Sequence, residues 1–201
     1  MAEKTIVFDF GGVLIDWNPR YLYRSVFEKE AEMEWFLEHI CTSEWNLKID
    51  AGKPFADSVR ELSGIFPEWA HEIEAFHSGW EKMLGGEIME SVRILKEIQS
   101  RQYKVYGLTN WSAETFPVAL NQFDFLQSLD GIVVSGAEKL VKPDPAIFHL
   151  LLGRYKLKAK DCVFIDDNIN NVNVASSLGF DAIHFIGASQ LRKALADRGI
   201  I

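Results

Sequence analysis

The chain has 201 residues, 48% hydrophobic and 25% charged, enough for one good core or a core domain with a small accessory domain. Its net charge of −8, from 21 basic and 29 acidic residues, argues against the clustered basic surface of a nucleic-acid binder. It leaves room for an anionic substrate, because a bound divalent cation inverts the local field.

The first expected element is a strand over Thr5–Phe8, closing on Asp9 and followed by Phe10-Gly11-Gly12-Val13. Glu3 and Lys4 lead straight into it with no apolar leader, and no later apolar run is long enough to span a membrane. Cys41 and Cys162 are far apart and form no C-x-x-C, so no disulfide framework is expected and the cytoplasm is the expected compartment. An acid at the carboxyl end of a strand, before glycines that let the chain turn, stands where open α/β sheets bind ligands. It can coordinate a cation, attack as a nucleophile, or serve only the turn.

Residues 17–84 show no strand pattern. They read as helices over Tyr21–Glu28, Ala31–Ile40, Phe55–Ile65 and Glu68–Met83, and hold five of the six tryptophans. Such an insertion can bury a small core of its own, as a lid over the site or as a bundle packed elsewhere for stability. Asp16-Trp17-Asn18-Pro19-Arg20 forms the entry. The loop Thr42–Lys53, with Trp45, Asn46, Lys48 and Asp50, either reaches into the site or is a plain turn. His77 and Trp80 read as core.

Beyond the insertion, strands are expected over Lys104–Leu108, Gly131–Val134, Val163–Ile165 and Ala182–Phe185. Helices are expected over Met89–Arg101, Phe116–Leu126, Pro143–Tyr155 and Asn170–Leu178. The alternation implies an α/β sheet with crossover helices. Three strand ends carry chemistry. Thr109 offers a hydroxyl to an anionic oxygen. Lys142 can neutralise a substrate or keep an acid ionised. Asp166 and Asp167 close an apolar strand; with Asp9 they make a three-carboxylate cluster suited to Mg²⁺, while Asn168 and Asn171 can cap the next helix.

Taken together, Asp9, Thr109, Lys142 and Asp166/Asp167 resemble the motif set of the haloacid dehalogenase-like (HAD) hydrolase superfamily. Lys-Pro-Asp-Pro-x-Ile-Phe and Asp-Asp-Asn-x-x-Asn resemble its branch with a helical cap after the first strand. The resemblance covers the whole chain. It implies an α/β fold with a Rossmann-like parallel sheet core (residues 1–16 and 85–201) and an inserted helical-bundle cap domain (17–84). It also implies Asp9 as nucleophile, Thr109 and Lys142 as its catalytic partners, and Mg²⁺ held by Asp9, the Gly11 carbonyl and Asp167, with Asp166 as a further ligand. Substrate contacts are then expected from the backbone amides of Phe10 or Asn110 and from Arg20 and Lys48 of the cap.

Most phosphatases of this superfamily carry a second Asp two residues after the nucleophile, as general acid. This chain has Gly11 there. Haloacid dehalogenases, phosphonate-cleaving members with a cap lysine, and bacterial sugar-1-phosphate phosphatases with a D-x-G-N-V segment also lack it. The segments D-F-G-G-V and D-D-N-x-x-N look most like the last group. The dehalogenases replace the tandem acids by Ser-Ser-Asn, and Ser25–Val59 holds no arginine to grip a carboxylate substrate. A Mg²⁺-dependent phosphatase acting on a small phosphorylated metabolite, as monomer or dimer, is therefore expected. A metal-independent 2-haloacid dehalogenase is the alternative, and a non-catalytic binder of phosphorylated ligands the third reading.

Overall fold

The computed structural model describes residues 4–201; Glu3, part of the expected lead into the first strand, lies outside them. Five strands form one parallel sheet: β1 (Thr5–Phe8), β4 (Lys104–Thr109), β5 (Gly131–Val134), β6 (Cys162–Asp166) and β7 (Asp181–His184), in the order β5-β4-β1-β6-β7. Each expected strand lies within one residue of these bounds. The reason is local: β1 and β6 are apolar at successive positions and buried throughout, as strands covered on both faces must be. Strand β1 is central, with later strands added first on one side and then on the other. Its carboxyl end therefore lies at the switch point where such sheets bind ligands.

Helices α6 (Met89–Ser100), α7 (Phe116–Gln122), α9 (Pro145–Tyr155), α10 (Ile169–Ser177) and α11 (Ala188–Ala196) accompany this sheet, with a short α8 (Ser135–Glu138) after β5. The start of α9 differs from expectation. Asp144 caps it, accepting from the Ala146 amide at 2.8 Å, and Pro145 takes the first helical position, so Pro143 stays outside. The expected Phe116–Leu126 helix tightens after Gln122 into a 3₁₀ turn over Asp124–Ser128. Helix α11 was not expected, although Leu191 and Leu195 mark a buried face one turn apart.

The insertion contains α1 (Arg20–Tyr23), α2 (Glu30–His39), α3 (Ser43–Asp50), α4 (Phe55–Ile65) and α5 (Ala70–Ser78). Three expectations fail here. The Tyr21–Glu28 helix is only the single turn α1, which ends at Tyr23. Glu68–Met83 is not one helix: 3₁₀ turns at Pro67–Trp69 and Trp80–Met83 flank α5, and Gly79 sits where a Cβ would strike Leu22. The Thr42–Lys53 loop is largely helix, because the Thr42 hydroxyl accepts from the Trp45 amide at 3.1 Å and starts α3. A ribbon missed in the sequence, β2 (Ile15–Trp17) paired antiparallel with β3 (Leu84–Glu87), joins the insertion to the sheet. Its second strand, Leu84-Gly85-Gly86-Glu87, has a loop-like composition.

The insertion does not bury a core apart from the sheet's. One cluster of buried side chains runs from Ile6 and Phe8 through Val13, Leu14 and Trp111 to Phe36 and Phe76. Of the five tryptophans there, Trp45 and Trp80 are buried and Trp35 is exposed.

Candidate active site

Strand register sets the site. Phe8 pairs with Ile165 on one side and Gly107 on the other, and the Asp9 amide continues the ladder to the Ile165 carbonyl at 2.9 Å. Asp9 and Asp166 thus leave neighbouring strands at the same level, with Thr109 ending the strand on the other side. The next turn depends on its glycines. Gly12 has φ +72°, and a Cβ there would run into the Asp167 carboxylate. At Gly11 a Cβ would meet nothing within 4 Å, so a side chain is sterically admissible where this chain has none.

Lys142 comes from the loop after α8 and is fully buried. Its ammonium lies 2.9 Å from Asp9 Oδ1 and 2.7 Å from Asp166 Oδ2. Asn110 holds that loop: its Oδ1 accepts from the Lys142 amide and its Nδ2 donates to the Lys142 carbonyl, both at 2.9 Å. The Asn110 side chain thus positions the lysine, while the substrate contact expected of Asn110 is from its backbone amide. The Phe10 amide is also taken, donating to Asp9 Oδ1 at 2.7 Å, while the Phe10 ring is buried beneath Gly107.

The adjacent acids differ in surroundings. Asp166 is fully buried and accepts from Lys142, the Asn168 amide and, through both oxygens, Asn171 Nδ2 at 3.0 and 3.1 Å. Asp167 is exposed and its carboxylate has no side-chain hydrogen-bond partner among the described residues; its own carbonyl faces His184 Nε2 at 2.9 Å, a contact absent from the sequence reading. Asn168 caps α10 through the Asn170 amide, but Asn171, expected as a cap, serves Asp166 instead.

Asp9, Asp166 and Asp167 each bring a carboxylate oxygen within 4.8 Å of the others. Burial raises the pKa of Asp9; Lys142 opposes this, and the neighbouring acids add to it. Asp167, though solvent-accessible, is partly desolvated by its surroundings, and this and Asp166 raise its pKa against Lys142. Burial works against the Lys142 ammonium, but the two acids facing it outweigh that and raise its pKa. Three carboxylates against one ammonium leave a surplus of two negative charges, which fits a divalent cation with oxygen ligands. Thr109 Oγ1 is buried at the adjoining strand end with no hydrogen-bond partner among the described residues, so its hydroxyl remains for a ligand.

Above Gly11 lies a cavity of about 120 Å³ between sheet and insertion. The sheet side supplies Gly11, Asn110 and Trp111, whose buried indole N–H has no partner among the described residues. The facing side supplies Trp17, Asn46, Asp50 and Trp80. Trp80, read in the sequence as core, is buried but also lines this cavity against Trp111, the ring centroids 5.5 Å apart. The two cap cations expected at the substrate are elsewhere. Arg20 forms a forked pair with Glu34 at 2.5 and 2.6 Å, lining a second cavity, and Lys48 is exposed on the other face of α3. Charge and a place in the insertion make them candidates, and neither reveals the direction of a side chain.

Over residues 3–179 the chain matches the haloacid dehalogenase-like hydrolase family. Sesquiterpene phosphatase astK of Aspergillus oryzae is 26% identical over 182 residues, 90% of this chain and 89% of its own length. Drimenol cyclase drtB of Aspergillus calidoustus is 33% identical over 106 residues, a stretch making up 53% of this chain but 20% of the cyclase. A magnesium complex of a HAD family enzyme from Bacteroides thetaiotaomicron superposes with TM-score 0.70 at 21% identity, covering 91% of this chain and 93% of that one. A dehalogenase structure superposes with TM-score 0.73 at 18% identity, covering 97% and 98%. At such identities these two structures speak for the fold alone.

Proposed function

The chain belongs to the haloacid dehalogenase-like hydrolase family, and we propose that it hydrolyses the phosphate ester of a small metabolite, a sugar phosphate, using Mg²⁺ and an aspartyl-phosphate intermediate. The surplus of two negative charges at Asp9, Asp166 and Asp167 carries this reading. A 2-haloacid, itself a carboxylate, would meet repulsion there. A phosphate ester on a divalent cation would not.

Asp9, the Gly11 carbonyl and Asp167 would hold the cation; Asp166, saturated by hydrogen bonds, holds Lys142 in place. Mg²⁺ would offset the charge of the phosphoryl oxygens. Asp9 attacks phosphorus, with the Lys142 ammonium at 2.9 Å favouring its ionised form. The free hydroxyl of Thr109 donates to a phosphoryl oxygen. Water then cleaves the acyl phosphate. Tryptophan faces from Trp17, Trp80 and Trp111, with polar edges from Asn46 and Asp50, suit a ring with apolar faces and hydroxyl rims. We take 17–84 as the cap that excludes water, and 1–16 with 85–201 as the catalytic core, working in the cytoplasm as a monomer or dimer. Both cysteines are buried and unpaired, and among the described residues no helix is long and apolar enough to cross a membrane.

The first test is p-nitrophenyl phosphate with and without Mg²⁺. Release is expected only with the metal, and Asp9→Asn should lower it by more than about 10³-fold. A sugar-phosphate panel, with a prenyl phosphate as contrast, then assigns the ester. Metal-independent halide release from 2-haloacids would overturn the phosphatase reading. A stably bound phosphate ester, with neither turnover nor a trapped acyl phosphate, would instead make the chain a binder.

A further inference from the structure

Hydrolysis of an unactivated ester needs a proton at the leaving oxygen, and Gly11 supplies none. The cavity above Gly11 contains one ionisable side chain among those lining it, Asp50 at the end of α3. We propose, building on the phosphatase reading above, that Asp50 donates the proton to the leaving group and then acts as the base for the hydrolytic water.

The fold brings Asp50 there deliberately. The Ser135 hydroxyl accepts from the Trp111 amide at 2.8 Å and donates to the Asp50 carbonyl at 2.6 Å, joining the end of α3 to the loops after β4 and β5. Gly52, at φ +94°, follows where a Cβ would strike the Gly136 carbonyl, so chain and core meet backbone to backbone. The partners of the Asp50 carboxyl are neutral: Asn46 Nδ2 at 3.0 Å and the Ser112 backbone N–H. An anion at the last residue of a helix also faces the negative end of the helix dipole. Burial pushes this carboxyl up to about 7, with the Ser112 hydrogen bond opposing it, which lets one group both give and take a proton near neutrality.

The step balances. Asp9 forms an O–P bond as the ester P–O bond breaks; the electron pair of that bond stays on the ester oxygen, which takes the Asp50 proton and leaves as an alcohol. In the second half the Asp50 carboxylate removes a proton from water as the water oxygen bonds to phosphorus. The P–O bond to Asp9 breaks, phosphate leaves, and Asp50 is again protonated.

The test is a leaving-group series with Mg²⁺: p-nitrophenyl phosphate, whose leaving group departs as an anion, against phenyl phosphate, whose phenol has a pKa of about 10. Asp50→Asn should lose about 100-fold or more in kcat/KM on phenyl phosphate and less than about 10-fold on the nitro compound. Gly11→Asp added to that variant should recover at least about tenfold on phenyl phosphate. Equal losses on both esters, or none on either, would overturn the assignment. The native protein gives an answer independent of any variant: a steep fall in rate from the nitro to the phenyl ester would mean that no acid assists. If the native protein cleaves neither ester and traps no acyl phosphate, the phosphatase reading itself fails and this assignment falls with it.

Discussion

Asp166 and Asp167 are adjacent in the chain yet face different physics. Full burial obliges Asp166 to find partners, and Lys142, Asn171 and the Asn168 amide satisfy it. Asp167, one residue on, points outward, with the Asp166 carboxylate pushing its pKa up against the opposing pull of Lys142 and His184. Asp50 resembles neither: half-buried, with neutral partners, it holds its proton more firmly than a carboxyl in water. Its pKa in the fold, about 7, lies above the ordinary 3.8, so its contribution to stability is complete below about pH 4 and is lost as pH rises through 7. Asp50→Asn is accordingly expected to stabilise the protein at pH 8 by on the order of 2 kcal/mol, with no gain at pH 4, in urea unfolding. A gain of stability together with loss of phenyl phosphate cleavage marks a group kept for function.

Among the elements, α3 is the one the sequence concealed. Its buried positions, Trp45 and Ile49, make only one turn of apolar spacing, too little for periodicity to distinguish helix from loop. What defines it is the Thr42 cap at one end and the Ser135 link at the other, and the latter joins residues 85 apart in sequence. Another bond between the insertion and the rest of the chain starts α4, where Glu114 accepts from the Phe55 amide at 3.0 Å. Gly52→Ala would force an L-residue into φ +94° and against the Gly136 carbonyl. It should cost about 1–3 kcal/mol and lower phenyl phosphate cleavage more than p-nitrophenyl phosphate cleavage, since it moves Asp50. Unchanged unfolding and an unchanged ratio of the two rates would show that this contact does not position α3.

For the whole molecule, the sheet order β5-β4-β1-β6-β7 brings the ends of β1, β4 and β6 side by side, concentrating negative charge at one place. A cation bound only by the folded state must therefore raise thermal stability. At a hundred times its dissociation constant the gain is about 2.7 kcal/mol, roughly 5–10 °C for a chain of this size. Asp167→Ala should abolish the Mg²⁺-dependent rise measured by calorimetry; a full rise in that variant would remove Asp167 from the metal site. Much of this arrangement was legible from residues alone. The five strands follow from contiguous apolar runs, and Asp9, Thr109 and Asp166 were singled out because they end them. Such signals survive in sequence because they belong to neighbouring residues, whose burial is shared along a few consecutive positions. The packing of distant segments decided the rest. It turned Arg20 toward Glu34 and Lys48 outward, committed Asn110 and Asn171 to holding Lys142 and Asp166, folded Leu84–Glu87 into a ribbon, and set Asp50 opposite Gly11. The direction of a side chain and the identity of its partner depend on which surfaces meet, and that is a property of the folded whole.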